Sequence, residues 1–133
     1  MKVVVDCNII ISAGLKDGLC RTILNYVLDN CDIYVSEDTL KEYIAVSQRA
    51  KFSSNYDLLE KIIILFRRSA RLVKVKELNI KLPDPSDTKY INLAIAVHAK
   101  YIITGNIKDF PDLFYKNTRV VSPREFFDKY IGN

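Results

Sequence analysis

KVVVDCN, residues Lys2–Asn8, is a short β-branched apolar run that ends at a carboxylate. A run of this kind favours a strand that is buried on both faces of a parallel sheet. In doubly wound α/β proteins, the residues just past the carboxyl ends of such strands line the ligand crevice. An unpaired buried acid is costly, so we expect Asp6 to have a polar or ionic partner and predict that it binds a metal ion. The simpler alternative is that Asp6 only caps the following helix.

Segments with strand-like and helix-like patterns alternate along the chain, which is typical of βαβ units. Ser36, Ser54 and Ser122 predict helix N-caps, and the residues after Ser54 and Ser122 indicate capping boxes. Right-handed crossovers then give a three-layer α/β/α sandwich with a central parallel sheet of four to five strands. The length favours a single domain, 1–133. The predicted strands span 2–6, 32–35, 71–75, 101–104 and 119–121, the predicted helices span 18–29, 36–47, 54–66 and 87–99, and a short helix or turn spans 109–114.

The composition is that of an ordinary globular protein, with 49% hydrophobic and 27% charged residues. We expect neither a signal peptide nor a membrane span, because the apolar runs are short. Three cysteines without a CxxC pattern or a His-paired spacing predict reduced core thiols in a cytoplasmic protein. The net charge of +4 permits a polyanionic partner, although a solvated helix end and loop explain the basic cluster equally well. The basic residues in question are Arg49, Lys51, Arg67, Arg68, Arg71, Lys74, Lys76 and Lys81.

Several oxygen-bearing side chains are predicted to lie near one edge of the sheet. Asp6 follows the first strand, Glu42 lies on the helix after the second, and Asp87 begins the helix after the third. Asn106 and Asp109 follow the fourth strand. Converging oxygen ligands without nearby Cys or His suit Mg²⁺ or Mn²⁺, and such a cation would offset the repulsion between the acids. Such an ion would lower the pKa of a bound water and stabilise both oxygens of an in-line phosphoryl displacement.

Each of these residues also has an ordinary structural explanation. Taken alone, Glu42 is better explained as an exposed helix acid and Asp87 as an N-cap. Asp109 could equally be an acid of a surface turn, and Asn106 a left-handed turn residue. The metal prediction therefore depends on four strand ends supplying such groups together, and not on any one of them.

Other chemistries are disfavoured by what the sequence lacks. The single histidine, His98, excludes a two-histidine ribonuclease mechanism within one subunit, and we expect it to be a packing or surface residue. Neither a GxSxG elbow nor a P-loop is present. An aspartyl-phosphate enzyme would need a second Asp two residues after Asp6, where this chain has Asn8.

Four segments, with a fifth near the end, match a family pattern in the right order. The chain resembles the PIN-domain family of nucleases, which includes the toxins of VapBC-type toxin–antitoxin modules. The resemblance places the family carboxylates on Asp6, Glu42 and Asp87, and its fourth acid on Asn106, where an amide brings no charge. Asp109 is the nearest carboxylate that could substitute. The matching segments are 4–13, 35–42, 84–90, 103–110 and 121–126, and the positions that hold or hydrogen-bond the acidic cluster are Asn8, Ser36 and Thr104.

The resemblance implies a Mg²⁺- or Mn²⁺-dependent ribonuclease, with the toxin of a toxin–antitoxin pair as one role. It also implies an antitoxin that inserts a peptide, presenting an Arg, into the acidic cleft, and a tendency to form homodimers. The RNA backbone would lie on Arg49, Lys51, Arg67, Arg68 and Arg71. A catalytically weak RNA-binding or assembly module on the same fold is the alternative that Asn106 favours. A small phosphatase or nucleotide-handling α/β enzyme is a third hypothesis.

Overall fold

The structure is a computed structural model that describes residues 1–132. It contains one mixed sheet flanked by helices. The strands are β1 (Lys2–Val5), β2 (Asp32–Val35), β3 (Arg71–Leu72), β4 (Tyr101–Ile103), β5 (Phe114–Tyr115) and β6 (Thr118–Val121). The helices are α1 (Cys7–Leu15), α2 (Leu19–Asn30), α3 (Glu37–Ser47), α4 (Tyr56–Ser69), α5 (Thr88–Val97) and α6 (Pro123–Tyr130), with 3₁₀ helices at Ala50–Asn55, Pro85–Asp87 and Ile107–Asp109.

The first strand lies in the middle of the sheet, whose order is β3-β2-β1-β4-β6-β5. β1 pairs in parallel with β2 on one side and with β4 on the other. Val3, Val4 and Val5 are at most 1% exposed, which explains why this strand is apolar at consecutive positions. The carboxyl ends of β1 and β4 therefore lie side by side, with Val5 paired to Ile103. The predicted α/β/α architecture is confirmed.

The sheet differs from the prediction at its two edges. It has six strands and not four to five, because Phe114, expected at the end of a helix or turn, forms β5 with Tyr115 and pairs antiparallel with β6. The strand expected over 71–75 ends at Leu72, although the backbone N–H of Val73 still donates to Val35 O at 2.9 Å. Two-residue edge strands are too short to show a periodic pattern in a sequence.

Two of the three predicted serine N-caps are present. Ser36 and Ser122 each accept a hydrogen bond from the backbone N–H three residues on, and both form capping boxes. The capping box predicted at Ser54 is wrong, because Ala50–Asn55 already form a 3₁₀ helix that leads into α4. The exposed His98 ends α5 in the left-handed conformation, with φ of 57°. It is therefore a surface residue, which is one of the two roles expected for it.

Close packing of α1 on α4 depends on a glycine. A Cβ atom placed on Gly14 would stand 2.4 Å from Leu59 Cδ2 and 3.2 Å from Leu59 Cγ. Leu59 is fully buried, so its side chain has little room to move away.

The three cysteines are free thiols, as predicted, but only Cys7 is fully buried. Across residues 1–132, no helix combines the length and apolarity that crossing a bilayer requires.

Candidate functional site

Asp6 is buried at the point where β1 ends and α1 begins, and it is only 4% exposed. It occupies the N-cap position of α1, but its closest partners are the side chains of Thr104 and Asn8, so helix capping alone does not explain it. Its Oδ2 atom instead accepts hydrogen bonds from Thr104 Oγ1 at 2.7 Å and from Asn8 Nδ2 at 3.2 Å. Asp6 is therefore held by groups from the ends of both central strands.

The loop after β4 is fastened to the start of α1. The backbone N–H of Gly105 donates to Asn8 Oδ1 at 3.0 Å, and the N–H of Asn106 donates to Thr104 Oγ1 at 3.0 Å. A Cβ atom on Gly105 would stand 3.3 Å from Asn8 Oδ1, closer than most side chains tolerate. Asn106 has φ of −117° and ψ of 58°, so it is not the left-handed turn residue considered above. Its side chain is exposed.

Glu42 lies on α3, and both of its carboxylate oxygens have partners. Lys89 Nζ contacts Oε2 at 2.9 Å, and the Tyr90 hydroxyl donates to Oε1. The same hydroxyl accepts a hydrogen bond from the backbone N–H of Cys7 at 3.2 Å. The alternative explanation, an exposed acid on the surface of a helix, therefore fails for Glu42, because its side chain is partly buried and both oxygens have partners. Ser36 contacts Thr39 at the start of α3, so it positions the helix that carries Glu42 and bonds to no carboxylate.

Asp87 lies at the end of the 3₁₀ helix before α5, and its side chain makes no capping hydrogen bond. The N-cap explanation therefore fails for this residue. Burial raises the pKa of Asp87 to about 7, with further contributions from the charges of Asp6, Asp84, Asp109 and Glu42. All four acids must lie close enough for their charges to act on Asp87.

Asp6 responds to the same electrostatic environment. Burial raises its pKa to about 6, the Thr104 hydrogen bond opposes this rise, and the charge of Glu42 adds to it. Within residues 1–132, neither Asp6 nor Asp87 takes part in an ion pair. The fold therefore brings several acids together, and within the described chain neither Asp6 nor Asp87 has a lysine or arginine partner that would offset their repulsion.

The donor set fits a hard divalent cation in its chemistry. It offers carboxylate oxygens and no cysteine or histidine ligand, as Mg²⁺ and Mn²⁺ prefer. As the side chains stand, no group of three or more His, Cys, Asp or Glu residues in the described chain is close enough to hold an ion. The carboxylate of Glu42 is instead occupied by Lys89 and Tyr90.

The basic residues predicted to bind RNA lie on several elements of the structure. Burial raises the pKa of the Cys7 thiol to about 12, and the nearby positive charge of Arg49 opposes this rise, which places Arg49 near the site. Arg67 and Arg68 instead line a groove between α3 and α4. The remaining two, Lys51 and Arg71, are exposed on the 3₁₀ helix after α3 and on the edge strand β3.

Two residues of the site were missed from the sequence, namely Lys89 and Tyr90. Tyr90 stands three residues after Asp87, which places it on the same side of a helix. That spacing was the available signal, but the sequence does not show that α5 brings Tyr90 against α3. Lys89 resembled any surface lysine until its contact with Glu42, 47 positions away in the chain, was known.

Comparison with known proteins agrees with this geometry. A family model described as the PIN domain matches residues 2–108. The chain belongs to the PIN-domain family. No curated protein sequence matches it. The family assignment made from the sequence segments is confirmed.

Solved structures with the same fold include chains of VapBC and FitAB complexes. A chain of VapBC2 from Rickettsia felis, bound to a DNA fragment from their promoter, has a TM-score of 0.63 and 20% identity, over 92% of this PIN domain and 98% of that chain. A chain of VapBC-1 from nontypeable Haemophilus influenzae has a TM-score of 0.61 and 19% identity, over 93% of this PIN domain and 99% of that chain. A chain of FitAB bound to an IR36 DNA fragment has a TM-score of 0.58 and 18% identity, over 91% of this PIN domain and 94% of that chain. At these identities the similarity is one of fold.

Proposed function

We propose that this PIN domain is a Mg²⁺- or Mn²⁺-dependent ribonuclease that forms a single domain over 1–133. One observation carries the proposal: Asp6 and Asp87, 81 positions apart in the chain, are close enough for the charge of Asp6 to raise the pKa of Asp87. Neither has a cationic partner among residues 1–132. A divalent cation is the simplest compensation for such a pair.

In this proposal, Asp6, Glu42 and Asp87 bind the metal, with Asp109 or Asn106 completing its ligands. Thr104 and Asn8 hold Asp6 in a fixed orientation through the hydrogen bonds to its Oδ2 atom. The bound cation would supply a nucleophile by lowering the pKa of water and would stabilise the charge that develops on the phosphate. Asp109, half-buried after β4, supplies the negative charge that the amide of Asn106 lacks.

The test is cleavage of labelled single-stranded RNA with Mg²⁺ or Mn²⁺, compared with an EDTA control. Asp87→Asn should abolish metal-dependent cleavage, because it removes a ligand charge and keeps the side-chain shape. Asp128→Asn, which removes an exposed acid of α6 paired with Arg124, should cleave like the unchanged protein. Equal cleavage by Asp87→Asn and by the unchanged protein, or cleavage that persists in EDTA, would refute the proposal.

We also propose that this protein is the toxin of a toxin–antitoxin pair, since solved structures with its fold include VapBC and FitAB complexes. A mostly apolar groove of about 770 Å³ runs between α3 and α4. Ile44 and Ile64 line it and remain partly exposed, while Arg67 and Arg68 also border it. An amphipathic antitoxin helix with acidic side chains opposite the two arginines fits this surface. Its continuation would present an Arg to the acidic cluster.

The partner proposal is tested with the small protein encoded by the neighbouring gene, co-expressed with this chain. Ile64→Glu places a charge in the groove, so it should abolish co-purification. Leu113→Glu, at an exposed position outside the groove, should leave the complex intact. If the neighbouring protein does not bind, or if both variants behave alike, the groove is not an antitoxin site.

A catalytically weak RNA-binding or assembly module is the second candidate function. The specific observation in its favour is Asn106, an exposed amide where the family pattern has an acid. Binding of RNA without cleavage, by a purified protein that does bind Mn²⁺, would favour this function over the first.

A further inference from the structure

The Lys89–Glu42 ion pair differs from the other side-chain ion pairs in the described chain because it is largely buried. The two side chains are 19% and 21% exposed, with Nζ 2.9 Å from Oε2. The Lys41–Glu37 pair on α3 has a similar distance of 3.1 Å, but its side chains are 71% and 78% exposed. A buried lysine that loses its partner is costly, so Lys89 must keep an anion beside it.

Lys89 lies in the first turn of α5, two residues after Asp87. Its ammonium also lies 5.9 Å from the ring centroid of Tyr90, whose hydroxyl holds the other oxygen of Glu42. A cation therefore already occupies the Glu42 carboxylate, which the proposed metal would need as a ligand. Two cations repel each other on one carboxylate, so the metal and Lys89 compete for Glu42.

We propose that Lys89 is a phosphate-binding residue of this site and that its ammonium occupies Glu42 until a divalent cation replaces it. The inference rests on the proposed metal-dependent ribonuclease function. When Glu42 turns to the metal, the ammonium is left within the site without its anion. A non-bridging oxygen of the RNA phosphate then supplies the negative charge that Lys89 has lost. Metal and RNA thus each favour binding of the other.

A purely structural ion pair predicts the opposite behaviour toward the metal. If Lys89 only holds Glu42 in place for the metal, its removal should weaken metal binding. If Lys89 competes for Glu42, removal should strengthen metal binding and at the same time weaken the use of RNA. The two explanations are therefore separated by the direction of the change, and not by its size.

The experiment measures the Mn²⁺ dissociation constant by calorimetry, without RNA, for the unchanged protein and for Lys89→Met, Lys89→Arg and Lys41→Met. Lys89→Met should bind Mn²⁺ about tenfold more tightly, while Lys41→Met, which removes an exposed lysine from the same kind of pair, should not change. At saturating Mn²⁺, Lys89→Met should lose about tenfold in kcat/KM for RNA. Lys89→Arg should retain most of this value, since it keeps the positive charge. Circular dichroism checks that each variant is folded.

Three outcomes decide between the explanations. Tighter Mn²⁺ binding with slower RNA cleavage in Lys89→Met supports the exchange. Equal or weaker Mn²⁺ binding in a folded Lys89→Met overturns the role of Lys89 and leaves the ribonuclease proposal intact, provided that the unchanged protein cleaves RNA. If none of the four proteins binds Mn²⁺, the metal-dependent function itself fails, and the exchange fails with it.

Discussion

Replacing Asp6 by asparagine should stabilise the metal-free protein at neutral pH while abolishing metal-dependent cleavage. Asp6 is 4% exposed, and its ionised form is disfavoured by burial and by the charge of Glu42. Asparagine has nearly the same shape, and its Oδ1 atom can still accept the hydrogen bonds from Thr104 and Asn8. The substitution therefore removes the buried charge and keeps most of its surroundings.

The magnitude follows from the change in pKa. Folding raises the pKa of Asp6 from 3.8 to about 6, which corresponds to a cost of about 3 kcal/mol when the carboxylate is ionised. Because the folded state binds the proton more tightly, this cost is fully present above about pH 6. It declines as the pH falls from about 6 towards 3.8 and is absent below that value. Asp6→Asn should therefore gain up to about 3 kcal/mol at pH 8 and almost nothing near pH 4.

The assay is urea unfolding in EDTA, for Asp6→Asn and the unchanged protein, at several pH values between 4 and 8. Asp128→Asn serves as the exposed control and should show little difference at any pH. Added Mn²⁺ should reduce or reverse the advantage of Asp6→Asn, since only the unchanged protein gains stability from the bound ion. Destabilisation by Asp6→Asn at pH 8, or a gain independent of pH, would refute the reasoning.

Three further predictions concern packing, hydrogen bonding and RNA binding. Gly14→Ala should lower the free energy of unfolding in urea by about 1–3 kcal/mol, because the new Cβ atom meets Leu59. Gly18→Ala is the control and should change this free energy little, because the nearest atoms are 3.7 Å from its Cβ position. Tyr90→Phe leaves a buried backbone N–H of α1 without its acceptor, so it should cost about 1–3 kcal/mol in the same assay and weaken Mn²⁺ binding. RNA affinity should fall as the salt concentration rises. If Arg49 contacts a phosphate, Arg49→Ala should reduce the slope of log affinity against log salt concentration by about 1. An unchanged slope would show that Arg49 is not part of the RNA-binding surface.

The sequence predicted the architecture because its strongest patterns reflect burial. Three consecutive valines before Asp6 require a strand that is covered on both faces, and the structure places that strand at the centre of the sheet. The convergence of Asp6 and Thr104 then follows from topology, since parallel neighbours end at the same edge. Ser36 and Ser122 were predictable because a capping box depends on residues three apart.

What the sequence did not predict depends on contacts between distant elements. The partners of Glu42 come from α5, and nothing in the sequence selects Lys89 among the many lysines of this chain. The false capping box at Ser54 has a local cause, because the preceding residues turn into a 3₁₀ helix and already approach α4 in a helical conformation. A strand at Phe114 was also not predictable. β5 has only two residues, too few for a periodic pattern, and it pairs with β6 across a tight turn.

The central position of β1 has a consequence for the synthesis of the protein. Asp6 emerges from the ribosome before Thr104, which donates to its carboxylate and is made 98 residues later. At rates of about 5–20 residues per second, roughly 5–20 seconds separate the two. During that interval β1 lacks its partner β4, and Asp6 lacks the hydrogen bond that orients it. A nascent or truncated chain that ends before β4 should therefore lack the activity proposed for this site, and a binding partner present by then meets the chain before its acidic cluster is assembled.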